Sequence, residues 1–517
     1  MNLNSAILLV VALPLASAGC GTAPGVDDPN GAPPCDGPST CGGDPVPESV
    51  CLEQLAKGQL VDGCGVFVNH PFFGGDDANP GTKDRPVRSL QRGIELARTE
   101  RGRVFAASDS FEESITLPSG VDIYGGFNVV DWEPLKDTPL PSQGMSHVLP
   151  SVGQIALIVE PARAGDTGAA DGVSIIDHMF IRSQIHIGMI VRSGAAVEIV
   201  GSWIEADYGL GGHDGDGWPG RAAEGPDGQY GGDACSAATV PGGARAVNSC
   251  EGGIPSVGGK GGDGLADGAG DGEDGEPVPE PNPRHQGSGG RGSQADGGCS
   301  SGTTGESGMW GAAGAPGKGR GRLDETGWHG DWAGDGARGM PGQGGGGGGG
   351  RRGGLAVCGV ATQGGAGGGS GGAGGCGGRG GRAGGNAQPS IGILALHAKV
   401  TVRDSFIISD DGGQGGDGGE PEEGGKAGRG APGGALGDGM WSCQGGSGGP
   451  GGDGGYGGPG RGGDSIGIAY LDEDQLTLER VTFEIGLPGP GGTSWDWSGD
   501  VLTGEDGIAV ETFRFPE

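Results

Sequence analysis

Two groups of residues carry types and spacings that could do chemistry, and a third set could recognise a ligand. Asp410 and Asp411 stand together after Ile407-Ile408-Ser409, and paired carboxylates can serve as general acid and general base across a sugar bond. Asp177-His178, inside VSIIDHMFI, is the other catalytic candidate. The run Asp263, Asp267, Asp271, Glu273, Asp274 in GGDGLADGAGDGEDGE could wrap Ca²⁺ with carboxylate and carbonyl oxygens. Each has a plainer reading: the Asp pair opens a glycine loop, Asp177 ends a strand, and the acidic run is a solvated loop. Trp203, Trp218, Trp310, Trp328, Trp332, Trp441, Trp495 and Trp497 lie in or beside glycine tracts, where they could stack on sugars or pin the tract by packing. No histidines stand at metal spacing, and GxxxxGK[ST] does not occur.

The elements that would position these groups are unusual. Of 517 residues, 130 are glycine and the formal net charge is −34. A chain this rich in glycine cannot bury an apolar core along its whole length, so glycine-rich and core-forming parts must alternate. The acidity repels phosphates and no basic run offsets it, which argues against a nucleic-acid partner.

Ala6 to Ala16 (AILLVVALPLA) is apolar, too short to span a bilayer, and is followed by Ser17-Ala18-Gly19-Cys20. This resembles a bacterial lipoprotein signal, which implies cleavage after residue 19 and acylation of Cys20. The alternative is an ordinary secretory peptide cut after Ala18. The resemblance implies an exported chain attached to the membrane through its lipid, at the outer membrane or cell surface rather than the inner membrane. Ten cysteines remain: Cys35, Cys41, Cys51, Cys64, Cys235, Cys250, Cys299, Cys358, Cys376 and Cys443. An even set in an exported chain reads as disulfides, with local pairs Cys35–Cys41, Cys51–Cys64 and Cys235–Cys250 preferred.

Residues 20–63 read as a Pro/Gly-rich tether. A cap and first rungs follow over 64–208, opening with Val66-Phe67-Val68 and a helix marked by Val87, Leu90, Ile94 and Ala97. A repeat then recurs at Ile187, Ile391 and Ile466. It aligns Val197 with Val400 and Leu476, Ile199 with Val402 and Leu478, and Ser202 with Ser405 and Val481. Val173-Ser174-Ile175 gives a weaker copy that places Asp177 level with Gly201, Asp404 and Arg480. Alternation within strands that are offset by a turn predicts an all-β fold, a single-stranded parallel β-helix with inward ladders.

Glycine-rich inserts occupy 209–388, 411–464 and 487–505, separated by a rung at 389–410 and the final rungs of 465–517. All leave at one phase of the rung, so they must emerge side by side from one corner. They read either as flexible linker or as packed polyglycine II helices of three residues per turn. Cys358, Cys376 and Cys443 inside the tracts would be out of place in free linker.

Gly75 to Thr82, Ser89 to Ile94 and Gly120 to Phe127 resemble the N-terminal coil of uncharacterised members of the pectin-lyase-like β-helix superfamily, a likeness that implies fold and leaves activity open. Asp177-His178 is similar to the WIDH segment of pectate lyases without its Trp, and Asp410-Asp411 to the paired aspartates of polygalacturonases without their His, Arg and Lys motifs. The acidic run resembles calcium-binding toxin repeats, with Ala266 where an Asp is needed. Asp214-Gly215-Asp216-Gly217 resembles the start of an EF-hand loop without its Glu. The inserts are similar in composition to mycobacterial polymorphic glycine-rich proteins. The expectation is a lipid-anchored protein with a display or adhesive role, without catalysis or a required cofactor, meeting an extracellular polysaccharide or cell-surface partner. The alternatives are a lyase or glycoside hydrolase acting on acidic glycans, and a calcium-dependent matrix component.

Overall fold

Short alternating runs such as Ala196–Val200 (AVEIV) put one face inward and one outward, and parallel neighbours repeat that choice. In the computed structural model, which describes residues 46–516 apart from 101, 136–140, 164–171, 295–297 and 438, they form three parallel sheets of seven, six and six strands. The chain visits the sheets in rotation. Ala196–Val200 belongs to the first, Trp203–Ala206 to the second and Ser390–Ala395 to the third, before Lys399–Arg403 rejoins the first. Val66, Val104, Ile123, Ile176, Ile199, Val402 and Leu478 stand in register across the seven strands of the first sheet. The expected pairings Val197–Val400–Leu476 and Ile199–Val402–Leu478 are therefore present.

Two details differ. Leu478 is 38% exposed although Val402 is fully buried, because its strand is the last of the first sheet and has no further strand beside it among the described residues. The weaker copy is also shifted by one residue: Ser174 and Ile176, rather than Val173 and Ile175, lie level with Val197 and Ile199. The inward Ser174 hydroxyl is tolerated because it donates to the Pro118 carbonyl (3.1 Å) and accepts from the Gly120 amide (3.0 Å). A one-residue slip exchanges the faces, so His178 and not Asp177 is level with Gly201. His178, Gly201, Asp404 and Arg480 all adopt positive φ at this corner.

The third sheet behaves otherwise. Ile187–Val191 and Ser390–Ala395 are apolar without alternation, and every residue in them is buried. Ile187, Ile190, Ile391 and Leu394 form a second cluster on its outer face, closed by Leu323 and the partly buried Trp328 of a hairpin, Arg322–Asp324 with Gly327–His329, sent back by the first insert. At the other end of the chain's body, the helix Leu90–Glu100 seats Leu90, Ile94 and Ala97 on the core. The expected tether is shorter than 20–63, since Glu48–Ala56 is a helix tied by Cys51–Cys64 and by the Arg103–Glu48 ion pair.

All inserts leave and return in register. Their departure points Ala206, Ser409 and Ile485 are paired neighbours, as are the return points Ser390, Ser465 and Ala509. The inserts themselves are extended rods joined laterally by backbone hydrogen bonds every third residue. Gly209, Gly212 and Gly215 donate to the carbonyls of Asp411, Gln414 and Asp417, each at 2.8 Å. Within 367–388, the consecutive amides of Gly369, Ser370 and Gly371 reach Cys443, Gln229 and Gly259 on three different rods. The next two, Gly372 and Ala373, return to the first two of those rods at Gly446 and Pro226. The chain thus turns once in three residues, and each turn exposes three donor directions.

This explains the glycine phasing. A rod spaced GGx, such as 445–458, shows two packed faces and turns its third residue outward. Rod 302–317 has glycine only at every third place, Gly302, Gly305, Gly308, Gly311, Gly314 and Gly317, and forms an edge. The run Gly344 to Gly350 is packed on every side, and all seven glycines are buried. At Gly375 a Cβ would overlap the Gly425 carbonyl and lie 2.9 Å from the Gly451 amide nitrogen. No larger residue fits there.

Disulfides lock the rods. Cys51–Cys64 matches expectation, but Cys235 bonds Cys358 instead of Cys250, while Cys250 bonds Cys376 and Cys299 bonds Cys443. Partners 123 to 144 residues apart meet because rods running in both directions bring distant segments side by side, so proximity in sequence is no guide. Cys299–Cys443 joins the first insert to the second. Cys20, Cys35 and Cys41 lie outside the described residues.

Candidate functional site: an aromatic and acidic cleft

A cleft of about 490 Å³ opens where the three inserts meet. The first insert contributes Trp310, at the outward positions of its edge rod. The second supplies Glu420 to Glu423 from one rod and Asp453 to Tyr456 from another, and the third supplies Trp495, Asp496 and Trp497. The threefold pitch places these side chains: with glycine at 308 and 311 turned to the neighbouring rod, Trp310 must face away from it. Trp310 and Trp497 pair at 6.2 Å between ring centroids, and Tyr456 and Trp495 at 5.9 Å. These rings are not buried as core. Trp310 is 57% and Trp497 68% exposed, an unusual placement for large aromatic surface.

The polar lining is of one sign. Glu423 pairs with Arg221, and Glu422 accepts from the Arg379 amide at 3.0 Å, with Arg379 itself stacked over Trp218 at 4.7 Å. Asp453 accepts the Gly424 amide at 2.7 Å. Glu420 makes no ion pair among the described residues. Hydrogen bonds from the Ser498 hydroxyl, ahead of those from the turn's amides, hold Asp496 below the ordinary carboxylate range, so it is charged at neutral pH. Among the described residues no Lys or Arg lines the cleft. Aromatic faces beside charged carboxylates can hold a cation, or an apolar ring face bearing hydrogen-bond donors.

The catalytic candidates lie elsewhere. His178 Nδ1 is 2.6 Å from Asp177 Oδ1, but the pair sits at an outward corner, more than half of the His178 side chain exposed. Asp410 and Asp411 do open a glycine insert: Asp411 Oδ1 accepts the Leu487 amide at 2.6 Å, tying the second insert to the third. Near Asp410, Glu205 is pushed above the carboxylate range by burial and by Asp207, Asp410 and Glu484, although Arg182 stands 3.1 Å away. The acidic run disperses instead of converging. Asp263, Asp271 and Asp274 each accept a backbone amide, from Gly242, Gly292 and Gly289. Glu273 is held by Arg245 and Asp267 by Arg352. Among the described residues no three His, Cys, Asp or Glu side chains are grouped to hold a metal.

The tryptophans divide. Trp203 packs between Phe180 (6.1 Å) and Phe406 (4.7 Å) on the second sheet, and Trp328 closes the outer cluster, so these two are structural. The cleft was not foreseen as a site; its only sequence signal is Trp310, Trp495 and Trp497 standing in tracts that have no apolar core to bury them. No family model, curated protein or solved structure matches this chain.

Proposed function

We propose that the chain is an exported, lipid-anchored parallel β-helix protein of pectin-lyase-like type, whose inserts pack as polyglycine II helices and serve display or adhesion at the cell envelope. The observation that carries this reading is the cleft: three inserts are hydrogen-bonded into one support, the first two also joined by a disulfide, and they present exposed tryptophans at their junction. Rotation of the chain through three parallel sheets supports the β-helix, and the three-residue hydrogen-bond repeat supports polyglycine II. Gly19-Cys20 after an apolar leader supports the anchor, and disulfides suit an oxidising compartment outside the cytosol. Acidic glycans are poor partners for a chain of charge −34 with a carboxylate-lined cleft. The test is to present the purified full chain with a panel of neutral, basic and acidic polysaccharides. Retention of a glycan without change in its chain length is expected, and shortened chains would overturn the reading.

One observation favours a hydrolase as the second reading. Glu205, a carboxyl raised above its ordinary range by burial, stands near Asp410, and a pair of carboxyl groups flanking the scissile bond is the arrangement glycosidases use. Glycan cleavage abolished by Glu205→Gln would establish it.

A further inference from the structure

We propose that the cleft binds an oligosaccharide carrying protonated amino groups, with sugar ring faces on Trp310 and Trp497 and the ammonium groups on Glu420 and its neighbouring carboxylates. This rests on the binding reading above and names its ligand class. The volume, about 490 Å³, lies within the roughly 300–1,000 Å³ of small-molecule sites. Exposed indole faces offer flat apolar surface, which suits the C–H face of a sugar ring. Two aromatic pairs, brought from separate inserts, extend that surface beyond a single ring.

Charge then selects among sugars. Arg221 and Arg379 answer Glu423 and Glu422 from behind the cleft, but Glu420, Asp453 and Asp496 line it without an ion pair among the described residues, so a uronate is repelled and a neutral sugar leaves that charge unanswered. An ammonium group answers it twice, by charge and by N–H donors to acceptor-only carboxylates. A quaternary ammonium gives the charge and the aromatic contact but no donor, and so uses half of what the cleft offers.

The test is calorimetry on the full chain with three soluble probes: a glucosamine tetramer, its fully N-acetylated counterpart, and tetralysine. Saturable binding of the glucosamine tetramer is expected, weakened by added salt and weakened about tenfold by Glu420→Gln. Trp497→Ala should weaken it by a similar factor of about ten, with an unchanged melting temperature because the ring is largely exposed. Equal affinity for the N-acetylated tetramer overturns the charge argument, and tetralysine binding at least as tightly overturns the sugar. Unaltered binding in both variants, or no saturable heat, overturns the cleft while leaving the display reading intact. Mass spectrometry of the recovered tetramer separates the two: shortened sugar sinks non-catalytic display without touching the binding proposal.

Discussion

Gly375→Ala tests whether the inserts are a packed solid or a set of loops. In the structure its added Cβ overlaps the Gly425 carbonyl and presses on the Gly451 amide, both backbone atoms that no rotamer change can move. Relief requires the rods to part locally. Three bonds cross this point: Gly375 to Gly449 (3.0 Å), Gly425 to Cys376 (2.8 Å) and Gly451 to Gly425 (2.9 Å). A buried amide or carbonyl left without its partner costs about 1–3 kcal/mol, so losing two or three costs about 2–9 kcal/mol, against a gain below about 1 kcal/mol from stiffening the unfolded chain. Gly211→Ala is the control. Gly211 faces solvent on the rod whose Gly209 and Gly212 are packed, and its Cβ would meet nothing closer than 3.4 Å, so the substitution should be neutral or stabilise by up to about 1 kcal/mol. Native-state hydrogen exchange, read on peptides covering 367–388 and 411–435, reports the local free energy even where the whole chain does not unfold in one step. Protection of those amides should collapse in Gly375→Ala and persist in Gly211→Ala. Rapid exchange of both segments in the unmodified chain, or equal protection in the two variants, would refute the packed-rod geometry.

Further expectations concern the anchor, the core and acid. Cys20→Ala should abolish fatty-acid labelling and shift the protein to the soluble fraction, and unchanged membrane partitioning would remove the lipoprotein assignment. Val402→Asp places an unpartnered carboxyl in the fully buried ladder and should cost several kcal/mol of a stability of about 5–15, enough that denaturant titration finds the body unfolded or close to it. Acid should lower the melting temperature in two windows. Burial depresses His186 to about 4 from an ordinary 6.5, so the unfolded chain binds that proton first and stability falls from about pH 6.5 toward 4, a step that His186→Gln should erase. Asp335 is held below its ordinary range by the Ala383 amide and Arg382, and Asp324 is held down to about 2 by the Thr326 hydroxyl and amide; their contributions are intact above about pH 4 and lost below it.

The ladders were legible because a β pattern fixes both spacing and face: Val197, Val400 and Leu476 could be aligned across inserts of any length, and the departure points followed from the same phase. The slip at Ser174 was not, since a serine hydroxyl satisfied by Pro118 and Gly120 looks polar in sequence and lies inside in structure. The outer cluster of the third sheet was hidden for a related reason. SIGILA announces a strand buried on both faces, but the cover for its second face, Leu323 and Trp328, comes from inside a glycine tract. Deleting 209–388 would therefore uncover that cluster, although the strands it separates are direct neighbours. Disulfide connectivity and the cleft depend on which rods are adjacent, and lateral order among rods of similar GGx spacing leaves no mark on the sequence.

The acidity has a structural cause that composition alone conceals. A threefold rod presents amides in three directions, and at the rim one direction meets no neighbouring carbonyl. A side-chain acceptor must then come from the next rod, and aspartate reaches because its carboxylate is short and can take an N–H without entering the packed face. The rim shows this repeatedly: Asp214 takes the Asp417 amide (2.9 Å), Asp417 takes that of Thr493 (2.6 Å), and Asp227 and Asp233 take those of Arg429 and Ala435 (2.6 and 2.8 Å). Asp214, Asp417 and Thr493 come from the first, second and third inserts, so one file of carboxylates stitches all three together. Asparagine could accept the same bonds, but an ionised acceptor makes them stronger. The charge of −34 is thus partly a consequence of finishing the edges of a glycine lattice, and the residues that look like calcium ligands in GGDGLADGAGDGEDGE are largely edge residues of this kind. By the same argument Glu420 stands apart: it lies on the rim in phase with Asp417, yet among the described residues its carboxylate takes no amide, which leaves it available to a ligand.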